Sequence, residues 1–206
     1  MDTFQPPPRA DGDGFVILEG IVTTINDDGT PHVTPMGPLV DRELTQFTLR
    51  PFRTATTYKN LKRTGECVFH VTDDVELLAR AAVDRLESAP AMFPARTVQG
   101  FVLTDACRWF ALRVRTLDDR EERTTIECDV VDRGSLRDFF GFNRAKHAVV
   151  EAAILATRIS RLPAEEIRAE FQRLAVIVNK TAGDQEHRAF QFLADFVRDT
   201  LPAEPV

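Results

Sequence analysis

The chain has 206 residues, of which 43% are hydrophobic and 28% are charged, and its formal net charge is −6 at pH 7. This length suits one good-sized domain, either alone or with an appendage. The acidic balance argues against general binding to nucleic acid or to anionic membranes, and no apolar run of the sequence is long enough to cross a bilayer.

The N-terminal residues 1–14 contain acids, prolines and glycines but no apolar segment like that of a signal peptide, which predicts a flexible tail. The three cysteines, Cys67, Cys107 and Cys128, are too few and too scattered for a disulfide framework or a zinc site. Each lies in an apolar stretch, so we expect small buried side chains in a reducing cytoplasm.

Apolar and β-branched residues from 15 to 25 predict a long first strand, in which Gly20 indicates a bulge or a close backbone approach. Residues 26–29 form a strong turn signal, so the chain is expected to return as a hairpin. Two prolines within residues 35–38 cannot lie in a central strand, and the second strand is therefore predicted to break there. The break either leaves backbone groups for a ligand or is a kink at the edge of a barrel.

A third strand is predicted over residues 43–50, and residues 50–65 carry five cations and no acid. Three of these cations recur at helical spacing before Gly65, a natural helix stop, which predicts a short helix with threonines as candidate N-caps. A helix N-terminus among hydroxyls and arginines suits a phosphate, whereas the simpler interpretation is a solvated basic helix face. These residues alone favour neither the phosphate site nor the solvated helix face. The cations are Arg50, Arg53, Lys59, Lys62 and Arg63, and the threonines are Thr54, Thr56, Thr57 and Thr64.

The middle of the chain alternates strands with connections of different kinds. Asp73 or Asp74 is predicted to cap a helix over residues 75–83. Residues 84–99 are predicted to form a long loop, and loops of that length are uncommon unless they have a function. Residues 118–123 are predicted to be a solvated hairpin tip with no ligand site. The strands expected in this part cover residues 66–72, 101–104, 108–116 and 124–130.

The period of the apolar residues changes near Ser135, and residues 135–206 are predicted to contain three helices. About seventy residues with narrow apolar stripes make a marginal core, so we expect an appendage packed on the preceding domain, residues 15–134. Strands followed by helices predict an α+β fold, a β-barrel or sandwich with a C-terminal helical appendage. Asn143 is expected to cap the first helix over residues 144–160, Pro163 to open the second, Gly183 to end it and Asp184 to open the third.

Several motifs of catalysis are missing from the sequence. It contains no P-loop, no Rossmann glycine fingerprint, no His-Glu-x-x-His and no Cys-x-x-Cys. The four histidines are scattered, and single histidines are more often structural or solvated than catalytic. No pair of carboxylates stands out either, so metal-dependent or triad hydrolysis has no support. The histidines are His32, His70, His147 and His187.

The order of short motifs along the chain resembles the FMN-binding split-barrel superfamily, the flavin reductase-like group. More closely it resembles an uncharacterised family of that group in which helices follow the barrel. The resemblance covers roughly residues 15–158 and implies an antiparallel Greek-key split β-barrel with a C-terminal helical appendage. The motifs that carry it lie at residues 19–24, 28–29, 34–37, 49–52, 54–61, 64–66, 72–74 and 142–145.

The resemblance implies FMN as cofactor and a homodimer with the flavin site at its interface. It places the flavin ring against the backbone of residues 34–37 and the phosphate after the third strand. Three functions stay open: an oxidoreductase using a nicotinamide or a pterin-like small molecule, a non-catalytic carrier or sensor of FMN or a related phosphorylated ligand, and a dimer that has lost its ligand. The implied cofactor-binding residues are Thr34, Pro35, Met36, Gly37, Arg50, Thr54, Thr56, Thr57 and Asn60.

Overall fold

The computed structural model of the chain describes residues 14–201, so the tail predicted for residues 1–14 lies, apart from Gly14, outside the described residues. The strands are β1 (Val16–Ile17), β2 (Gly20–Ile25), β3 (Pro31–Met36), β4 (Leu39–Val40), β5 (Gln46–Leu49), β6 (Glu66–Val71), β7 (Met92–Pro94), β8 (Phe101–Leu103), β9 (Arg108–Asp118) and β10 (Thr125–Ser135). Eight of them form one antiparallel sheet in the order β1-β4-β5-β10-β9-β6-β2-β3.

The first two predicted strands form one long hairpin that bends in its middle. Its inner half pairs β2 with β3, and its outer half pairs β1 with β4, so that Ile17 lies opposite Leu39. The inner half joins the sheet through β6, whereas the outer half joins it through β5. The two ends of the sheet are therefore joined by the hairpin itself, which wraps the sheet into the predicted antiparallel split barrel.

The predicted long first strand is interrupted at Leu18 and Glu19, which separate β1 from β2. Gly20 follows this interruption and confirms the predicted close approach. A Cβ atom at Gly20 would collide with the carbonyl oxygen of His70 and with the ring of Phe69. The chain therefore bends where only a glycine fits against β6.

The predicted break in the second strand starts two residues later than expected. β3 continues through Met36, and Pro35 pairs with Ile21 in the register of the sheet. A proline, which has no N–H, is accommodated there because β3 is the terminal strand of the sheet. Among residues 14–201, no further strand lies beside β3 that would need that N–H as a hydrogen-bond donor. The break itself covers Gly37 and Pro38, between β3 and β4.

The interior of the barrel is filled by aromatic and small apolar side chains. Phe47 packs against Phe69 and Phe110 with ring centroids 5.3 and 5.2 Å apart, and all three rings are buried. Cys67 and Cys128 are free thiols in the same core. Cys107 is also free and buried, which confirms that the cysteines behave as small core residues.

The connection predicted as a loop over residues 84–99 contains a strand. β7 pairs with β8, and the Thr23 hydroxyl donates a 2.6 Å hydrogen bond to the carbonyl oxygen of Phe101. Val98 and Val102 are buried against Val68 of β6. The segment is therefore attached to the outer face of the barrel, because a second, small apolar core lies beneath it.

The helices are α1 (Thr56–Thr64), α2 (Val75–Ala82), α3 (Arg144–Ala156), α4 (Ala164–Thr181) and α5 (Asp184–Thr200). The predicted caps Asp74 and Asn143 are confirmed, since each side chain accepts hydrogen bonds from two N–H groups of its helix. The first C-terminal helix ends at Ala156, four residues earlier than predicted, and Pro163 directly precedes α4.

The C-terminal helices share one apolar core with the barrel domain. Buried residues of α3, α4 and α5 cluster with Leu78 of α2 and with Ile21 and Val33 on the outer face of the hairpin. The Lys146 ammonium links the two parts further, since it donates to the carbonyl oxygen of Asp73 at 2.7 Å. The helices therefore pack on the barrel domain through α2 and the β2–β3 hairpin.

His70 joins three strands inside the protein. Its Nδ1 lies 3.1 Å from the carbonyl oxygen of Ile21 on β2, and its Nε2 accepts a 3.1 Å hydrogen bond from the N–H of Leu103 on β8. This pair of partners selects the neutral ring with the proton on Nδ1. Burial lowers the pKa of His70 to about 4, from 6.5 in a solvated chain.

The free energy of unfolding should therefore depend on His70 in acid. The contribution of neutral His70 to the free energy of unfolding is complete above pH 6.5. It is lost as the pH falls towards 4, because His70 is protonated in the unfolded chain at a higher pH than in the folded protein. A shift of this size corresponds to about 3 kcal/mol at most. Denaturant titrations between pH 7 and pH 4 should show a steeper loss for the wild type than for His70→Gln, whose amide offers a donor and an acceptor without titrating. His147→Gln, at an exposed helix position, is the control and should follow the wild type.

Candidate functional site

The basic stretch forms a short helix as predicted, but its N-terminus differs from the prediction. Gly65 ends α1 in the left-handed conformation, and its N–H donates to the carbonyl oxygen of Leu61. Ala55 occupies the N-cap, and none of the described side chains caps the helix, so the expected threonine cap is wrong. The first-turn N–H groups of α1 are thus not used by a capping side chain, and they carry the positive end of the helix dipole.

The cations at the C-terminal end of α1 are engaged with acids of the same chain. The Lys62 ammonium lies 2.7 Å from Asp119, and the Arg63 guanidinium pairs with Asp27 in the first hairpin turn. Tyr58 also donates to Asp119, at 2.6 Å, and joins the same cluster. These positions follow the simpler interpretation of a solvated basic face, in which the cations are paired with acids at the surface.

The hairpin tip is exposed over residues 120–123, as predicted, and it also contacts the start of the basic stretch. The N–H of Arg53 donates to the carbonyl oxygen of Glu122 at 2.9 Å, and Phe52 forms a bridge with Arg123. The hydroxyl and N–H of Thr124 both donate to the carbonyl oxygen of Pro51. The tip therefore holds the start of the basic stretch in one conformation.

The chain brings the strand break next to the basic stretch. Leu39 pairs with Thr48, and the two strands run antiparallel. Gly37 lies two residues before Leu39, and Arg50 lies two residues after Thr48, so the break and the start of the basic stretch lie at the same end of the β4–β5 pair. The two halves of the predicted site thus lie at one end of this strand pair, although Gly37 and Arg50 are thirteen positions apart in the sequence.

The remaining predicted residues occupy different environments. Thr54 and Thr56 are exposed before and at the start of α1, whereas Thr57 is buried. The buried side-chain amide of Asn60 donates to the Thr24 hydroxyl at 3.0 Å and to the Asn26 side chain at 2.9 Å. Both of its hydrogens are used to hold α1 against the first hairpin.

The backbone around the break has unused hydrogen-bonding positions in the sheet. Because β3 is the terminal strand, groups of Thr34, Pro35 and Met36 that face away from β2 have no partner strand among residues 14–201. Gly37 is closely packed, since a Cβ atom there would lie 2.7 Å from the Ile17 side chain and 2.7 Å from a carboxylate oxygen of Glu19. A larger residue at Gly37 would have to displace the side chains of Ile17 and Glu19.

Glu19 is a titratable group beside the break that the sequence interpretation missed. It lies in the interruption of the first strand, and its carboxylate faces Gly37. Although Glu19 keeps solvent contact, partial burial raises the pKa of its carboxyl, and the nearby Glu151 of α3 adds to the rise. Glu19 can therefore hold a proton at a higher pH than an ordinary glutamate. The sequence signal was only a charged residue within an apolar strand.

An exposed aromatic segment, Leu136 to Phe142, is a second feature missed at the level of sequence. Asp73 is buried, accepts two hydrogen bonds from the Arg137 guanidinium and accepts one from the N–H of Phe140 at 2.8 Å. The Arg137 guanidinium holds the pKa of Asp73 at about 2. The segment is thus firmly attached, yet it presents Phe139, Phe140 and Phe142 to solvent, with exposed fractions of 47%, 75% and 94%.

The described part of the chain has neither a metal cluster nor a helix that could span a membrane. No group of three or more His, Cys, Asp or Glu side chains there could hold a metal ion. No helix within residues 14–201 is both long enough and apolar enough to span a membrane.

Comparison with known families decides the relationship. A model of the N-terminal domain of a protein of unknown function, DUF447, matches residues 18–137, and a second DUF447 model matches residues 143–195. The chain belongs to the DUF447 family. The division of the two DUF447 models falls between β10 and α3, next to the predicted start of the helical appendage.

Solved structures share the fold of this DUF447 chain. An FMN-bound protein of the same family from Methanosarcina mazei has a TM-score of 0.75 at 21% identity, covering 87% of this chain and 94% of that chain. A flavin reductase domain protein from Arthrobacter sp. FB24 has a TM-score of 0.50 at 20% identity, covering 59% and 79%. Flavoredoxin from Methanosarcina acetivorans has a TM-score of 0.51 at 8% identity, covering 64% and 76%. The split-barrel resemblance is thereby confirmed. No match was found among curated proteins.

Proposed function

We propose that this chain is a cytoplasmic FMN-binding flavoprotein and that it acts as an oxidoreductase of the flavin reductase-like type. The observation that carries the proposal is the meeting of the strand break with the start of the basic stretch, at one end of β4 and β5. The fold is shared with an FMN-bound member of the same family, which supports the choice of cofactor.

The residues around the start of α1 fit a phosphate group. Arg50 follows β5 directly, Thr54 and Thr56 are accessible, and no described side chain caps the first turn of the helix. A phosphate monoester carries close to two charges and needs several charge-assisted hydrogen bonds to offset its desolvation. Thr57 contributes through its place in the first turn of α1. In this proposal Asn60 holds α1 in position, because its amide is engaged by Thr24 and Asn26.

The terminal strand β3 fits the edge of a flavin ring. Thr34, Pro35, Met36 and Gly37 would face the ring with backbone groups that the sheet does not use. FMN, when bound, supplies the electron transfer, and the protein positions it and tunes its potential. A catalytic triad is then not required, and Glu19 is the residue beside the break that can hold or release a proton.

The reacting partner is proposed to be a nicotinamide or a pterin-like small molecule, and the alternative is a carrier or sensor that binds FMN without turnover. The purified protein should be yellow or should take up added FMN, and NADH or NADPH should bleach the flavin bands under anaerobic conditions. Bound flavin that neither nicotinamide reduces would favour the carrier or sensor. A protein that takes up no FMN would contradict the proposal.

Arg50 should determine affinity for the phosphate of FMN. Hydrogen bonds to a charged partner contribute roughly 1.5–3 kcal/mol each, so Arg50→Ala should weaken FMN binding about ten-fold or more. Riboflavin lacks the phosphate, and its affinity should change little. Fluorescence titrations of both ligands would measure this.

The control for this comparison is Arg120→Ala, which removes the same charge at the tip of the β9–β10 hairpin, where Arg120 pairs with Asp118. It should bind both ligands like the wild type. Full FMN affinity in Arg50→Ala would show that the basic stretch is only a solvated helix face.

We also propose a homodimer in which the aromatic segment Leu136 to Phe142 lies at the interface. A buried aromatic side chain covers about 150–250 Å², so the exposed parts of Phe139, Phe140 and Phe142 offer on the order of 400 Å². This is roughly half of the ~800 Å² that each partner contributes to a stable interface. C₂ pairing of identical patches is also the commonest form of oligomer.

Replacing Phe140 and Phe142 together by serine should therefore convert the dimer into a monomer, because it removes most of the apolar surface of the proposed interface. Both rings are largely exposed, so the change should leave the core of the protomer intact. Light scattering at micromolar concentration measures the mass. Val176→Ser, at an exposed apolar position of α4, should remain dimeric. A monomeric wild type, or a double variant with the mass of a dimer, would contradict the assignment.

A further inference from the structure

The carboxylate of Glu19 lies against the strand break without a hydrogen-bond donor of the described chain. A Cβ atom placed on Gly37 would be 2.7 and 2.9 Å from its two oxygens, so both oxygens lie beside the backbone of the break. Among residues 14–201, no group donates a hydrogen bond to Glu19 and no cation pairs with it. The carboxylate therefore depends on solvent to stabilise its negative charge.

The elements around Glu19 add one more charge, and it has the same sign. Neither β1 nor the segment from Thr34 to Pro38 contains an ionisable side chain. From the helical appendage, Glu151 of α3 acts on Glu19 as a second carboxylate. His147, one turn earlier on α3, stacks with Phe142, the two ring centroids being 6.0 Å apart. Next to Gly20, the neutral ring of His70 has both nitrogens engaged.

This environment makes the charge of Glu19 sensitive to whatever covers the break. Partial burial and the charge of Glu151 already raise the pKa of its carboxyl. A flat, uncharged ligand lying on the break would also remove the solvent contact that Glu19 keeps. An ionised carboxylate loses much more by this than a carboxylic acid, which is neutral and has an O–H to donate.

Resting on the flavin site proposed above, we propose that Glu19 contacts the flavin ring in its protonated form, so that ring binding at the break takes up one proton. The proton comes from solvent, and no covalent bond of the ligand is made or broken. The class of ligand is a neutral, planar heteroaromatic ring with acceptor atoms on its edge, to which the carboxyl donates its O–H. Through Glu151, the helical appendage then determines the pH range in which the barrel binds its ligand.

Riboflavin is the probe for this inference, because the phosphate of FMN itself titrates near pH 6. Wild-type protein should bind riboflavin most tightly at pH 5, where Glu19 is most protonated. The affinity should fall as the pH rises, by roughly ten-fold between pH 5 and pH 8, which corresponds to a further rise of about one unit in the pKa of Glu19 on binding. Fluorescence titrations at intervals over this range measure the fall.

Two variants separate the proton from the fold. Glu19→Gln keeps a donor but no charge, so its riboflavin affinity should not vary with pH and should exceed that of the wild type roughly ten-fold at pH 8. A gain of affinity cannot result from a damaged fold. Glu151→Gln removes the like charge, so the fall in affinity should move to lower pH. Glu43→Gln, at an exposed glutamate between β4 and β5, is the control and should follow the wild type.

Calorimetry counts the proton directly. Riboflavin titrations at one pH in two buffers with different ionisation enthalpies should show proton uptake by the wild type and none by Glu19→Gln. Thermal unfolding of each variant at each pH checks that the fold is kept. A wild-type affinity that does not change with pH would overturn the inference. So would Glu19→Gln with the pH dependence and the proton uptake of the wild type.

The outcome also separates this inference from the proposed function. If Arg50→Ala selectively loses FMN affinity while Glu19→Gln leaves the pH dependence of riboflavin binding unchanged, the flavin site stands and the role of Glu19 is wrong. If the wild type binds neither FMN nor riboflavin, both proposals fail. Riboflavin binding that loses its pH dependence in Glu19→Gln supports a ring site at the break independently of the phosphate site.

Discussion

The structure depends on one constraint, the bend in the long hairpin that joins both ends of the sheet. The inner half of the hairpin must pair with β6 while its outer half pairs with β5. Both strands must therefore change direction at the same level, and the sequence provides Gly20 on one strand and Gly37-Pro38 on the other. Neither glycine position has space for a Cβ atom. The barrel closes because the interruption before Gly20 and the interruption after Met36 lie opposite each other in the hairpin.

The same bend leaves the outer edge of β3 without a partner strand among residues 14–201. A central strand uses its N–H and C=O groups on both sides, whereas the terminal strand β3 pairs only with β2. The outer half of the hairpin then leads directly to β5 and the basic stretch. The outer face of the inner half, with Ile21 and Val33, carries the helical core. One hairpin thus positions the proposed flavin site on one side and the appendage on the other.

Much of this could be predicted from local patterns, because turns, caps and strand breaks depend on a few neighbouring residues. The first turn, Gly65 and the caps Asp74 and Asn143 are of that kind. Features that depend on distant contacts were missed. Nothing local shows that Asp119 would reach Lys62, that β7 would pair with β8, or that Asp73 would hold an aromatic segment through Arg137. Thr56 and Thr57 looked like caps, but the chain enters α1 one residue too early for that role.

The distribution of charge along the basic stretch distinguishes its two ends. α1 has nine residues and rises about 1.5 Å for each, so Lys62 and Arg63 lie roughly 10 Å from its N-terminus, about one Debye length at physiological salt. Both are also paired with acids, and exposed ion pairs of this kind contribute little to stability. The main effect of these pairs is that the charges of Lys62 and Arg63 are neutralised locally by Asp119 and Asp27. Arg50 and Arg53 act together with the positive end of the helix dipole, equivalent to about half a charge. The helix dipole therefore adds positive potential at the end of the stretch that adjoins the strand break.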